Sequence, residues 1–263
     1  MPDWIHQSFD PARRTGVAAV MYAEVSTNVF RDTFQPVMVF DGEAHIDITG
    51  DAVTIHATDE ARAAWVDIHV PHSAFEFLQA GDTPASTALD VNGLLDVHDI
   101  PSVDTITMAI PNTHEVQITA KQLLYRTGTI REVNVPEIWL RTEPGTAVDI
   151  TTSPAMLSKV IDLAVDMTDR VEFGTRPTER SAYIAGTGDT DDVRVDVPLS
   201  NTCDTPELRV EESYSLTYLD PIQQRSPADT PVRLQWGPGS PLRVEYPIAA
   251  GHATVTYTIR PNA

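Results

Sequence analysis

Apolar and polar residues alternate with a period of two through most of this chain, and short clusters of Gly, Asp and Pro interrupt them. AHIDITG (44–50) and AVTIHAT (52–58) meet at Gly50-Asp51, a hairpin pattern. WVDIHV (65–70), DTITMAI (104–110), EVQITA (115–120) and QLLYRTGTI (122–130) continue the strand rhythm, and a first strand is expected to start at Met21. Further on, RVEFGT (170–175), SAYIAG (181–186), VRVDVPL (193–199), VRLQW (232–236), PLRVEYPI (241–248) and TVTYTI (254–259) repeat it. Only four segments read as helices: 29–40, 91–99, 154–168 and 214–225. In the third, Leu157, Val160, Ile161, Ala164 and Met167 recur every three or four positions and form one apolar stripe.

The order of these elements repeats. VFRDTFQPVMVF (29–40) is answered by AMLSKVIDLAVDM (155–167), and VNGLLDVHDI (91–100) followed by DTITMAI is answered by YSLTYLDPIQQRS (214–226) followed by DTPVRLQW (229–236). The expected class is α+β, with two similar domains that each set helices on one face of an antiparallel sheet. Residues 1–20 read as an N-terminal extension, 21–130 as the first domain, 131–150 as an extended Glu- and Pro-rich connector, and 151–263 as the second domain. The connector carries Val133, Val135, Ile138 and Trp139, which either pack locally or help to build a groove.

Charge changes the picture. Thirty-eight acidic residues against 18 basic ones give a formal net charge of −20, and the only lysines are Lys121 and Lys159. The acids are spread over every segment, which matches a surface adapted to a high-salt cytoplasm, where a Debye length of about 3 Å screens self-repulsion. The alternative is an ordinary acidic protein. The single cysteine, Cys203, rules out an internal disulfide and fits a reducing cytoplasm. No stretch approaches the roughly 18 apolar residues that a membrane span needs. No phosphate-cradling glycine loop or nucleophile elbow is present, and Cys203 has no neighbouring base, so no catalytic residue and no cofactor are assigned.

WGPGSPLRVEYPIAAGHATVTYTIRP (236–261) resembles the C-terminal end of DNA sliding clamps of the proliferating-cell-nuclear-antigen (PCNA) type. GTGDTDDVRVDVPL (186–199) resembles that family's second-domain edge strand, and EVNVPEI its interdomain loop. The resemblance covers about residues 21–261 and rests on order and spacing. It implies a DNA polymerase processivity factor: a homotrimeric ring, with helices lining the hole, that encircles duplex DNA without bond chemistry. Such a clamp tethers polymerase, clamp loader, nuclease and ligase through short peptides, in association with the nucleoid.

The resemblance also places candidate sites. Arg31, Lys159 and Arg225 take the DNA-facing positions, whereas Asp32, His98 and Asp162 stand where low-salt members are basic. Arg31 can equally be a plain solvated side chain. The peptide groove falls to Thr58, Val133, Val135, Pro241, Thr258, Ile259 and Arg260, or these residues merely cap the second domain. The subunit joint is expected between strand 121–128 of one copy and 192–198 of the next. It involves Lys121, Tyr125, Arg126, Asp192, Arg194 and Asp196, with Lys121 and Arg126 facing the aspartates. Two other readings stay open: a divergent clamp paralogue, of cellular or viral origin, competing with a host clamp, and an acidic metal-dependent hydrolase using GDTDD (188–192) with His69 or His72.

Overall fold

The computed structural model describes residues 19–97, 103–112, 114–130, 148–199 and 209–262. The chain begins with β1 (Met21–Ser26), then α1 (Thr27–Phe34), whose N-terminus is capped by the Ser26 hydroxyl accepting from the Val29 N–H. Pro36 ends the α-helical hydrogen bonding, so the expected helix 29–40 tightens into a 3-10 segment over Gln35–Phe40 and stops at Asp41, in left-handed backbone. Next come β2 (Glu43–Ile48), β3 (Ala52–Thr58), β4 (Ala64–Pro71), β5 (Phe77–Ala80) and β6 (Ala85–Asp90). The first half closes with α2 (Asn92–Leu95), β7 (Thr105–Asn112), β8 (Glu115–Ala120) and β9 (Leu123–Gly128).

The second half contains β10 (Val148–Thr152), α3 (Pro154–Val165), β11 (Arg170–Arg176), β12 (Ser181–Thr187) and β13 (Asp192–Pro198). It ends with β14 (Glu211–Ser215), α4 (Leu216–Arg225), β15 (Val232–Trp236), β16 (Leu242–Ile248) and β17 (Ala253–Ile259). Three expectations change. The helix read over 214–225 starts only at Leu216, because Tyr214 lies in β14 and Ser215 caps the helix instead. The helix read over 91–99 is described as one short turn, Asn92–Leu95. Residues 148–150, read as the end of the connector, open β10, while 131–147 lie outside the described residues.

The strands form three antiparallel sheets: β5-β1-β7-β8-β9, β10-β15-β16-β17-β4-β3-β2-β6, and β13-β12-β11-β14. The eight-stranded sheet crosses the repeat, since β17 pairs with β4 from Thr254↔His69 to Ile259↔Ala64. Helices cover one face of the other two sheets. α1 packs on β1 and β7, and α3 on β11, β12 and β13 with α4 beside it. The α3 stripe behaves as its spacing requires, with Leu157, Val160, Ile161 and Ala164 buried.

The halves are stitched at an aromatic cluster. Phe40 lies 6.1 Å from Tyr257 and 6.4 Å from Tyr218, ring centre to ring centre. The buried Tyr257 hydroxyl donates to the Pro36 carbonyl at 2.9 Å. On the polar face of the eight-stranded sheet, Asp149 on β10 accepts from Arg233 Nε at 2.9 Å and from Gln235 Nε2 at 3.0 Å.

Tyr257→Phe leaves the buried Pro36 carbonyl without its donor and is expected to cost about 1–3 kcal/mol in denaturant unfolding, with the m-value unchanged. The Arg233 hydrogen bonds hold the Asp149 carboxyl below its usual range. Its stabilising share is therefore fully present above the unfolded value near 4 and is lost as the pH falls through the folded value. Asp149→Asn should make the acid limb of an unfolding-versus-pH curve shallower; an unchanged limb would show that this pair does not couple to folding.

Candidate DNA-facing, partner and edge surfaces

The helices carry equal numbers of acidic and basic residues. α1 carries Arg31 and Asp32, α3 carries Lys159 and Asp162, α4 carries Asp220 and Arg225, and α2 carries no charge. Acid and base thus cancel on the helices of a chain with a net charge of −20. Arg31 is partly spent within the chain, its Nη2 lying 2.8 Å from Asp32 Oδ1. Arg225 donates from Nη1 to the Pro221 carbonyl at 3.1 Å. Lys159 is exposed on α3, whose Ser158 hydroxyl accepts from Gln223 of α4 at 2.6 Å and so locks the two helices together. Arg31 and Arg225, 194 positions apart in sequence, line one cavity of about 410 Å3 with Gln35, Met38, Leu95 and Gln224. His98 lies outside the described residues.

The groove candidates gather at one end of the eight-stranded sheet. Thr58 stands opposite Trp65, Trp65 opposite Thr258, and Ile259 opposite Ala64 and Leu242. Thr58 and Pro241 are half-buried and Arg260 is exposed. Ile259 is fully buried and Thr258 only 6% exposed, so their side chains are core and they offer no apolar surface to a ligand. This corrects the expected lining: what faces out is Thr58, Pro241 and Arg260. Val133 and Val135 lie outside the described residues.

The β3–β4 loop at that end is held by Asp59. Its carboxylate accepts from the backbone N–H groups of Ala61, Ala63 and Ala64 at 3.1, 2.8 and 2.8 Å, and from the Tyr218 hydroxyl of α4 at 2.9 Å. Burial, with the Asp59 carboxylate second, pushes the Tyr218 hydroxyl up to about 12.

Six strands lie at sheet edges among the described residues, namely β5, β6, β9, β10, β13 and β14, and they include both strands of the expected joint, β9 on the five-stranded sheet and β13 on the four-stranded one. On β9, Leu123 and Leu124 are 42% and 47% exposed. Tyr125 packs inward against Gly93 of α2, where an added Cβ would collide with its hydroxyl. Lys121 is not on the strand. It occupies the β8–β9 turn in left-handed backbone, with φ 52°.

The expected charge match across these edges is largely used up inside the chain. Arg126 lies 3.7 Å from Glu115, and Arg194 lies 2.5 Å from Asp196 while stacking 4.1 Å over the Tyr183 ring. Burial and the Glu172 carboxylate raise the Tyr183 hydroxyl to about 12. Asp192 is exposed. The GDTDD segment forms a turn closed by the Gly188 N–H donating to the Asp191 carbonyl at 2.9 Å, and it leads into β13. His69 pairs with Thr54 and Thr254 on the sheet. Among the described residues no group of three or more His, Cys, Asp or Glu is arranged to hold a metal ion.

One cluster escaped the sequence reading. His45 and His56 face each other across the β2–β3 hairpin; Asp47 lies 3.1 Å from His45 and 3.5 Å from His56, and Asp67 lies 2.5 Å from His56. The hairpin register, counted back from Gly50-Asp51, was the signal that could have paired them.

No family model matches the chain. It is similar to the DNA polymerase sliding clamp of Methanocella arvoryzae, 27% identical over 249 residues covering 91% of this chain and 97% of the relative. The sliding clamps of Natronomonas pharaonis and Haloarcula marismortui are 24% and 26% identical, each over 91% of this chain and 97% of the relative. Among solved structures, A. fulgidus PCNA with the C-terminal region of FEN-1 bound superposes with a TM-score of 0.78 at 18% identity, covering 92% of this chain and 98% of that one. PCNA from Thermococcus kodakaraensis gives 0.78 at 19% identity, covering 92% and 100%. The fold is the PCNA-like clamp fold.

Above pH 10 the unfolded state loses the Tyr218 proton while the folded state keeps it to about 12, so stability falls with rising pH. Tyr218→Phe should flatten that alkaline decline by one titrating group in unfolding experiments between pH 10 and 12.

Proposed function

We propose that this chain is a DNA polymerase sliding clamp that works as a homotrimeric ring around duplex DNA. The observation that carries the assembly is a joint made once inside the chain and left open twice at its ends. Within the chain, β17 at the edge of the β10-β15-β16-β17 group pairs with β4 at the edge of β4-β3-β2-β6. In the sequence repeat, β9 is the counterpart of β17 and β13 the counterpart of β4; both β4 and β13 end in Val-Pro, at Val70-Pro71 and Val197-Pro198. Pairing β9 of one copy with β13 of the next would rebuild the same sheet between copies. That contact is heterologous, and a heterologous contact whose rotation closes gives a ring in which neither β9 nor β13 is left as an open edge. Three copies of a two-part chain give six equivalent joints, three internal and three between subunits.

Because the charges of Arg126, Arg194 and Asp196 are already engaged within the chain, the joint rests on backbone pairing with apolar help from Leu123 and Leu124. That suits high salt, where exposed ion pairs are screened. The helix surface would face the hole. Its charge balance keeps an otherwise anionic protein from repelling DNA, and topological linkage holds the duplex where phosphate contacts weaken with salt. Arg31, Lys159 and Arg225 are the bases that would approach the backbone. Peptides of polymerase, clamp loader, nuclease and ligase would dock beside Thr58, Pro241 and Arg260, under the connector bearing Val133 and Val135. The bound FEN-1 segment in the A. fulgidus relative supports this mode. The scarcity of lysine and the halophile relatives support a haloarchaeal cytoplasm as its setting.

Light scattering in molar salt should give three times the 28.9 kDa chain mass. Leu123→Asp with Leu124→Asp should shift it to the single-chain mass with an unchanged circular dichroism spectrum. Loaded wild-type protein should stay on nicked circular DNA and slide off once the circle is cut. A wild type that is monomeric at its working salt sinks the proposal.

A further inference from the structure

The open-sided depression between α1, α2 and α4 brings two of the three bases assigned to the DNA-facing surface together with an apolar wall. Its lining holds two guanidinium groups and no carboxylate, in a chain with a net charge of −20. Arg31 commits Nε and Nη2 to Asp32 Oδ1, at 3.2 and 2.8 Å, which leaves Nη1 to face a ligand. Arg225 commits only Nη1, to the Pro221 carbonyl, which leaves Nε and Nη2. Gln224 hands its amide N–H to Asp220 at 2.8 Å, keeping that carboxylate one turn back along α4 and leaving its own carbonyl as an acceptor.

Met38 and Leu95 supply the apolar part of the wall. A volume of about 410 Å3 lies within the range of small-ligand sites, roughly 300–1,000 Å3. Arginine pairs recognise phosphate by fork-shaped hydrogen bonding that a hydrated chloride does not match. Lys159, the third helix base, is absent from the lining.

We propose that this cavity binds a phosphomonoester carrying a flat or apolar group, a mononucleotide being the simplest case. The phosphate sits between Arg31 and Arg225, and the base rests on Met38 and Leu95 with Gln35 and Gln224 at its edge. Because the wall combines residues 31–38 and 95 with 224–225, the ligand would brace the two halves of the chain against each other. The inference does not depend on ring formation.

The test is thermal unfolding and titration calorimetry of the full chain with AMP, inorganic phosphate or a short duplex, each against potassium chloride of equal ionic strength. AMP near saturation should raise the midpoint by about 2–4 °C, and inorganic phosphate by less. Arg31→Gln or Arg225→Gln should weaken AMP at least tenfold, and Arg170→Gln, a surface arginine on β11, should not. Leu95→Trp, which fills the cavity but keeps both charges, should also weaken AMP, separating loss of space from loss of charge. The proposal is overturned if AMP produces neither shift nor heat, or if its effect survives both arginine changes. It is equally overturned if only the duplex acts, since the arginines would then belong to the DNA-facing surface alone.

Discussion

The pairing of β17 with β4 is the contact on which the rest of this molecule depends. It ties the C-terminal strand to the first half of the chain and merges two four-stranded groups into one sheet of eight. The joint is reinforced from its helix side, where Tyr257 reaches the Pro36 carbonyl and packs near Phe40. Tyr218 then fastens α4 to the β3–β4 loop through Asp59. Each of these links joins residues from opposite halves of the sequence repeat. β9 and β13, by contrast, lie at the edges of their sheets.

Charge is handled by location more than by pairing. The helices balance acid against base, while the surplus acid lies on strands and loops, where solvent and salt reach it. On the polar face of the eight-stranded sheet, Arg233 and Arg243 stand between Asp149 and Glu245 and break up like-charge neighbours. Such exposed pairs contribute little in concentrated salt. Core packing and backbone pairing therefore carry the stability, and the buried set around Trp236, Tyr246 and Tyr257 is correspondingly large.

Much of the fold was legible along the chain because its strands alternate cleanly. β3, β8 and β15 fall where the period-two pattern places them, and α3 buries the stripe its spacing predicts. The misses have physical causes. β5 is four residues long, β6 (ASTALD) has few β-branched residues, and β14 (EESYS) is polar, so none carries a strong strand signal. Pro36 cut α1 short, and Ser215 moved the start of α4, both cues that were present but outweighed by helical spacing.

By itself, the sequence determined the class, the repeat and the order of elements, because hydrophobic periodicity is a local property that each segment expresses alone. It also carried the acidic balance and the absence of a nucleophile motif. Only the tertiary structure decided which residues meet. The side chains of Ile259 and Thr258 are buried, the β8–β9 turn holds Lys121 off the strand, and Arg194 meets Asp196 on its own strand. Arg31 and Arg225 came together across 194 positions because the sheet joint sets α4 beside the segment that follows α1. No local pattern encodes such proximity, which arises only when distant strands pair and carry their helices with them.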